Sequence, residues 1–480
     1  MTRACTRSDA GPGTGMRPVF RHSDASAATI VRSLRHTGPT PRSALVRRTG
    51  LSASTVSRAT AALLDAGVIV ELPDLVESSG GGRPGRPIAL SPTGPIVVAC
   101  HIGRRRSVVA VADAGHRVLD HETLPTPEAP PETLVDVLAA RAASLADRFP
   151  ARPLLRSGIA GAFRVADDGT VDHELLGWRD EPLDVRWRLR IPAPVTISPH
   201  VEAIAAAESL VQTEAHEGTT LLVYCRESVG CAQVADRAVI LPRSGPGDLS
   251  GLRLEPTEHL GGGGADLASM VADSSLLDVA RKLGIDEPDV ASLAERAALG
   301  DSLSDALLAE RGRVLGRAVG TVVCIIRPDR VILAGQGFAA FPRYLQDVAR
   351  GFEDVDLRGD RPRLHVSRAG ERVQLHAAIT TAMDPFDRDP LGEAGASRPS
   401  ESGGGGVRRP DPGVDPERAV DTRGDREVED RRRDVHRRTR VGDVDHAGEP
   451  ALDRHRAQTG RVESTPDGGR RLRASSSTRG

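Results

Sequence analysis

Between Ile96 and about Met383, short apolar runs alternate with stretches of helical periodicity, and that alternation confines this part of the chain to a layered α/β architecture. Val97 to Cys100 and Ser107 to Asp113 read as adjacent strands, followed by a helical stretch at Glu132 to Phe149 and strands near Ser157 to Phe163 and Val195 to Ser198. A helix over Val201 to Gln212 precedes strands at Thr220 to Cys225 and Cys231 to Leu241. The closing part repeats the theme: helix Ser304 to Ile326, strand Arg330 to Ala334, helix Phe341 to Phe352, strand Arg363 to Val366 and helix Arg372 to Met383.

At 480 residues the chain exceeds the roughly 250 at which a single core stops growing, so changes of pattern are read as domain limits. Residues 1–20 are Gly, Thr and Arg without periodicity and are expected to be disordered, with Met16 a second candidate start. A module occupies residues 21–94 and the α/β region residues 95–386. Residues 387–480 contain no aromatic, Ile, Met or Cys residue and are dominated by Arg, Asp, Gly and Pro. That composition predicts a disordered tail, because it offers too little apolar surface to offset an ordering cost of about 1–2 kcal/mol per residue; a translated frameshift would read the same way.

No apolar run approaches the roughly 20 residues that span a bilayer, and the N-terminus lacks a signal-like apolar segment, so a soluble cytoplasmic protein is expected. Cys5, Cys100, Cys225, Cys231 and Cys324 are scattered, with neither a C-x-x-C pair nor a secreted-type framework. The net charge of −2 conceals a basic module: between Arg21 and Leu90 nine arginines stand against five acids.

Within that module Ala27, Ala28, Ile30, Val31 and Leu34 predict a first helix from an Asp24 N-cap to His36. Thr40 as N-cap and Pro41 at the first helical position predict a second, ending near Arg48, and Thr49-Gly50-Leu51 turns the chain. Ser52 then caps a third helix to Ala66, with Val56, Ala59, Leu63 and Leu64 inward and Ser54, Thr55, Ser57 and Arg58 outward. Two helices joined by a Gly-containing turn, the second opening with small hydroxyl residues, fit a helix-turn-helix whose backbone approaches the DNA major groove. After Gly67, strands at Val68 to Leu72 and Ile88 to Leu90 flank a Gly/Pro loop carrying Arg83 and Arg86, the pattern of a β-hairpin wing suited to phosphate or minor-groove contact. The DNA-contacting residues expected are Thr40, Ser52, Ser54, Thr55, Ser57, Arg58, Arg83 and Arg86.

The stretch Ser43 to Ser57 and the wing Gly82-Arg83-Pro84-Gly85-Arg86-Pro87 resemble the regulator branch of the ROK family, the repressor, open-reading-frame and kinase proteins. Together with the α/β region, the resemblance covers about Asp24 to Met383. It implies an actin-like ATPase fold of two ribonuclease-H-like lobes around a cleft. Gly177-Trp178 resembles the family's sugar-side loop, and Ile326 to Gly337 its strand and glycine turn near the nucleotide.

The kinase chemistry that the family carries is degraded. Where its kinases have Asp-x-Gly-Gly-Thr, this chain has His101-Ile102-Gly103-Arg104-Arg105, and bulky Arg104 and Arg105 would crowd a phosphate loop. The Asn-Asp pair before the Ala-rich helix becomes Pro199-His200, ahead of Glu202 to Glu208. The family's zinc-binding His and cysteines have no counterpart in Asp248-Leu249-Ser250-Gly251 and the glycine run Gly261 to Gly264, and His259 alone does not make a site. No cofactor and no metal are therefore expected. Trp178, His200 and Asp248 stay as candidates for holding a ligand, a sugar if the resemblance extends that far. The resulting expectation is a repressor that binds an operator as a homodimer or higher homo-oligomer, with a catalytically silent sensory domain; the competing reading is an ATP- and magnesium-dependent carbohydrate kinase.

Overall fold

The computed structural model describes residues 17–72, 86–211, 218–262 and 265–396. In the N-terminal module α1 (Ser26–Thr37), α2 (Arg42–Thr49) and α3 (Ala53–Asp65) pack around Ile30, Leu34, Leu45, Val56 and Leu63, all within 2% of full burial. Gly50 makes the α2–α3 turn at φ +70°, a left-handed conformation that costs glycine no Cβ clash. Ser52 caps α3 as expected, its Oγ accepting the Thr55 N–H at 3.1 Å. Three short strands complete the module: β1 (Thr40–Pro41), β2 (Ile69–Glu71) and β3 (Pro87–Leu90), with β3 central and antiparallel to both.

Two expectations for this module need correction. Ala25, not Asp24, sits at the α1 N-cap, and no side chain caps that helix. Thr40 is not a cap either: it pairs with Ile88, and its Oγ1 bonds the Gly38 carbonyl and the Thr37 hydroxyl while Pro41 precedes α2. Residues 73–85, the expected wing tip with Arg83, lie outside the described residues.

The α/β region uses one strand order twice. The first lobe contains β4 (Ile96–Ile102), β5 (Arg106–Asp113), β6 (Val118–Pro125), α4 (Pro131–Ala146), β7 (Leu154–Gly161), β8 (Arg164–Val165), β9 (Val171–His173), β10 (Trp178–Glu181), α5 (Leu183–Arg188), β11 (Val195–Pro199) and α6 (His200–Val211). Its main sheet runs β11-β7-β4-β5-β6, with β4, β7 and β11 parallel and β5 reversed. The second lobe contains β12 (Thr220–Cys225), β13 (Val229–Ala235), β14 (Ala238–Val239), β15 (Gly247–Asp248), α7 (Leu267–Val271), α8 (Asp273–Lys282), α9 (Val290–Ala298), α10 (Ser302–Ile326), β16 (Arg330–Ala334), α11 (Gln336–Ala339), α12 (Leu345–Glu353) and β17 (Arg363–Val366), after which α13 (Val373–Arg388) and α14 (Pro390–Ala396) return to pack on the first lobe.

There the path is β14-β13-β12-β16-β17, with β12, β16 and β17 parallel and β13 reversed. A hairpin, a third strand and two parallel strands reached by crossovers thus occur in both lobes, the duplicated ribonuclease-H-like order that the resemblance implies. Helix α10 crosses α12 at backbone contact: a Cβ on Gly316 would meet the Val348 carbonyl oxygen at 2.1 Å, so only glycine fits there.

Module and lobes share a core. Ile30, Leu34 and Leu45 cluster with Val97 and Ala110 of the first lobe and with Ile379, Met383 and Phe386 of α13. The outer domain limits shift accordingly. Residues 17–20 are placed, with Phe20 buried and its N–H bonded to Asp384 at 2.8 Å, and helices α13 and α14 extend past 386 into the stretch read as tail. Helix α14 holds because Glu393 accepts from Arg156 at 2.7 Å and Ala394 packs into that shared core.

Candidate functional site

On α3, Ser54, Ser57 and Arg58 are exposed and Thr55 is half buried. The hydroxyls of Ser54 and Thr55 lie 3.0 and 2.9 Å from Ser52 Oγ, so the first turn presents a small polar cluster rather than bulk. Arg58 makes no ion pair among the described residues and extends from the same side of the helix as Ser54, one turn on. Arg42, by contrast, is committed internally: it pairs with Glu71 at 2.9 Å and donates to Thr60 at 3.1 Å, locking α2 to α3 and to the sheet. Arg86 leans on the same Glu71 at 3.5 Å and stays largely exposed. Thr40, only 5% exposed, is removed from any ligand-facing surface by its strand pairing.

The interlobe cleft is built where parallel strands end. His101 stands next to last in β4, and His200 opens α6 directly after β11, so both side chains arrive at the carboxyl edge of the first sheet. Their rings stack, and His101 Nε2 lies 3.1 Å from His200 Nδ1, which requires one imidazole to donate and the other to accept. His200 Nε2 reaches Ser228 Oγ at 3.3 Å, and Tyr224 packs on its ring at 4.7 Å. Burial lowers all three histidines here: His200 to about 3, His173 to about 4, and His101 well below the ordinary imidazole value, with the neighbouring His200 and Arg226 adding to the effect on His101. They are neutral at pH 7.

The turn after β4 is filled by the protein itself. The Gly103 amide donates to Ser107 Oγ at 3.3 Å, its carbonyl accepts from Thr126 at 2.7 Å, and a Cβ there would meet the Arg106 carbonyl at 2.4 Å. Arg104 and Arg105 are exposed, and Arg105 crosses to Glu227 of the second lobe at 3.0 Å. A phosphate loop needs free backbone amides in that position, and Gly103 has none to offer. A neutral imidazole with a pKa near 3, both of its nitrogens engaged, is likewise a poor general base at pH 7.

Beside the histidines lies a cavity of about 290 Å³, reached by Arg106 from the first lobe and by Arg226, Gln336, Arg372 and Gln374 from the second. Arg226 donates to Gln374 at 2.7 Å, and Gln374 donates in turn to the Tyr224 hydroxyl at 2.8 Å. Nothing in the sequence singles these residues out, because they come from separate segments with no shared spacing; the one signal nearby is the Gly335 turn, at φ +92°.

Of the ligand candidates, the structure brings only His200 into this cleft among its lining residues. Trp178 is 2% exposed and packs behind His173 and Phe163, so its indole face is core rather than a platform for a sugar. Asp248 is exposed on edge strand β15, where its Oδ1 accepts the Ser250 amide at 2.8 Å. His259, solitary in the sequence, is not so in the fold: Nδ1 lies 2.7 Å from Glu310 of α10, and Glu258 brings the carboxylates and imidazole within 4.8 Å of one another. Glu310 also accepts the His259 amide and the Thr257 hydroxyl, so the cluster ties this loop to α10. The hydrogen bond to Glu310 raises the His259 pKa.

No helix among the described residues is long and apolar enough to cross a membrane. The sequence model of the ROK family matches residues 97–371. The transcriptional regulator Rv0485 of Mycobacterium tuberculosis is 34% identical over 394 residues, covering 78% of this chain and 89% of its own. The DNA-binding transcriptional dual regulator NagC of Escherichia coli is 22% identical over 365 residues, covering 72% and 88%. Among solved structures, a ROK family transcriptional regulator homologous to the E. coli MLC protein superposes with a TM-score of 0.61 at 19% identity, over 77% of this chain and 98% of its own. A Streptomyces griseus ROK glucokinase superposes with a TM-score of 0.50 at 18% identity, over 60% and 98%. The family model's match over residues 97–371 and the 34% identity to Rv0485 over most of both chains lead to one assignment: the chain belongs to the ROK family.

Proposed function

We propose that this chain is a sequence-specific DNA-binding transcriptional regulator, a repressor, in which α1 to α3 and the small sheet form a winged helix-turn-helix with α3 as recognition helix. The observation that carries this reading is the Ser52-capped start of α3, where Ser54, Ser57 and Arg58, which has no ion pair among the described residues, face outward with no bulky neighbour of their own helix to keep the backbone from a groove. Its relatives Rv0485 and NagC are named as transcriptional regulators, which supports the same assignment.

The lobes act as a sensor, not as a kinase. A self-satisfied Gly103 turn and a neutral His200 replace the phosphate loop and carboxylate base that phosphoryl transfer from ATP would use. The effector, a sugar or another small molecule, enters the interlobe cavity beside His200, and a homodimer sets two α3 helices about 34 Å apart for successive major grooves. A gel-shift titration on the gene's own upstream DNA, at two salt concentrations and with excess nonspecific competitor, tests the assignment. A shift that survives competitor is expected; a folded protein that gives none overturns it. A coupled assay for ADP over a panel of hexoses should stay at background, and a rate that His200→Ala abolishes would restore the kinase reading.

A further inference from the structure

The junction between the N-terminal module and the second lobe holds a cavity separate from the interlobe cleft. Residues 19–22 lie along β14 as an extra edge: Val239 donates to the Phe20 carbonyl at 3.0 Å, Arg21 bridges Ala238, and the His22 amide reaches the Arg237 carbonyl at 3.4 Å. Asp384 of α13 accepts the amides of Val19 and Phe20 at 3.0 and 2.8 Å. Phe20 is held at φ +45°, and Asp236 and Arg237 at +49° and +59° make the tight β13–β14 turn. Non-glycine residues keep such conformations only when their surroundings impose them.

Between this edge and α1 lies a cavity of about 40 Å³, floored by Phe20, Val31 and Val239 and rimmed by Arg21, Arg32 and Arg237. At roughly 10–15 Å³ per water centre, that is room for a few waters or one small oxyanion.

The charge in its wall is unbalanced. Asp387 is taken up by Arg35 at 2.6 Å and His116 at 2.9 Å, and Asp384 by the two amides and Arg388. Arg21, Arg32 and Arg237 have no carboxylate within ion-pair distance among the described residues. His22 Nε2 is buried at the same place with no hydrogen-bond partner among the described residues, and burial together with Arg32 and Arg237 lowers the His22 pKa. Buried polar atoms of this kind are normally satisfied by water or a ligand.

We infer that this cavity binds a small oxyanion, a phosphate monoester or short carboxylate, gripped by Arg32 of α1 and by Arg21 and Arg237 beside β14. The bound anion cancels the mutual repulsion of these arginines and fastens the DNA-binding module to the second lobe, giving a regulatory input apart from the interlobe cavity. The inference rests on the regulator reading for its purpose but not for its chemistry.

Calorimetric titration of the full chain with inorganic phosphate, and separately with propionate, tests it. One site per chain is expected for at least one anion, weakened tenfold or more by Arg237→Gln and by Arg32→Gln and unchanged by Arg141→Gln on the distant face of α4. Arg237 is exposed at a hairpin tip, so its variant keeps the fold even if Arg32→Gln does not. Phosphate binding without propionate binding assigns the site to phosphate esters, and the converse to carboxylates. No binding of either anion, or equal affinity in Arg237→Gln, overturns the inference. A gel shift run without anion reads the regulator assignment by itself: a shift with no anion binding sinks only the cavity, and anion binding with no shift sinks only the regulator.

Discussion

The outward face of α3 and the interlobe cleft treat their polar groups in opposite ways. On α3 the hydroxyls of Ser54 and Ser57 and the guanidinium of Arg58 remain exposed, anchored only by the Ser52 cap. In the cleft the corresponding groups are turned on one another: His101 on His200, Gly103 on Ser107, Arg105 on Glu227. The face of α3 leaves its hydrogen-bonding capacity toward solvent, whereas the cleft uses much of its own internally and buries the remainder, His101 Nδ1 and both His173 ring nitrogens having no partner among the described residues.

The largest effect that can break this contrast is acid sensitivity of the cleft. His101, His173 and His200 have folded pKa values below the unfolded 6.5, so the neutral rings contribute stability that is fully present above pH 6.5 and lost as pH falls toward 3 to 4. Each histidine should add a slope of up to about 1.4 kcal/mol per pH unit in that window. Glu202 acts with the opposite sign: burial raises its pKa to about 7, so its contribution is full below pH 4.5 and fades as pH rises toward 7. Three groups outweigh one, and urea midpoints should drop steeply between pH 6.5 and 4. His200→Gln should reduce that net slope by about half; an unchanged slope would mean that the cleft histidines are not held neutral.

Next in size, Arg58→Ala should weaken specific DNA binding by ten- to a hundredfold, about 1–3 kcal/mol, and alter sequence preference while leaving thermal stability unchanged. Equal losses on specific and competitor DNA would move Arg58 from base reading to phosphate contact. Smaller still, Ser52→Ala removes the α3 cap and should cost about 1 kcal/mol of stability, seen as a lower melting temperature.

How far each part of the molecule can be read from its sequence depends on the range of the forces involved. Ser52 and the ends of α3 are legible because a cap and a helical period act within a few residues, and Thr220–Cys225 and Arg330–Ala334 because buried parallel strands read as nearly unbroken apolar runs. Thr40 misleads because its partner, Ile88, is far along the chain, and a Thr-Pro pair before a helix looks like a cap unless that strand is known. Trp178 misleads for a related reason: a tryptophan beside a sugar-side loop gives no sign of whether Phe163 and His173 will cover it. Helices α7 to α9 are short and hidden behind the glycine run, and the Arg106, Arg226 and Arg372 cavity exists only once two lobes face each other.

The smallest expected effect sharpens the contrast from the module's own side. Arg86 enters β3 beside Glu71, which already holds Arg42 more closely, so Arg86 is only loosely retained and can swing to a phosphate. Arg86→Gln should therefore weaken binding to specific and competitor DNA by the same factor and reduce the slope of log affinity against log salt by about one. Stability should not move, since the Glu71–Arg86 contact is exposed and such pairs contribute little. A change in sequence preference instead would place Arg86 against base edges, and the division of labour between α3 and the wing would have to be redrawn.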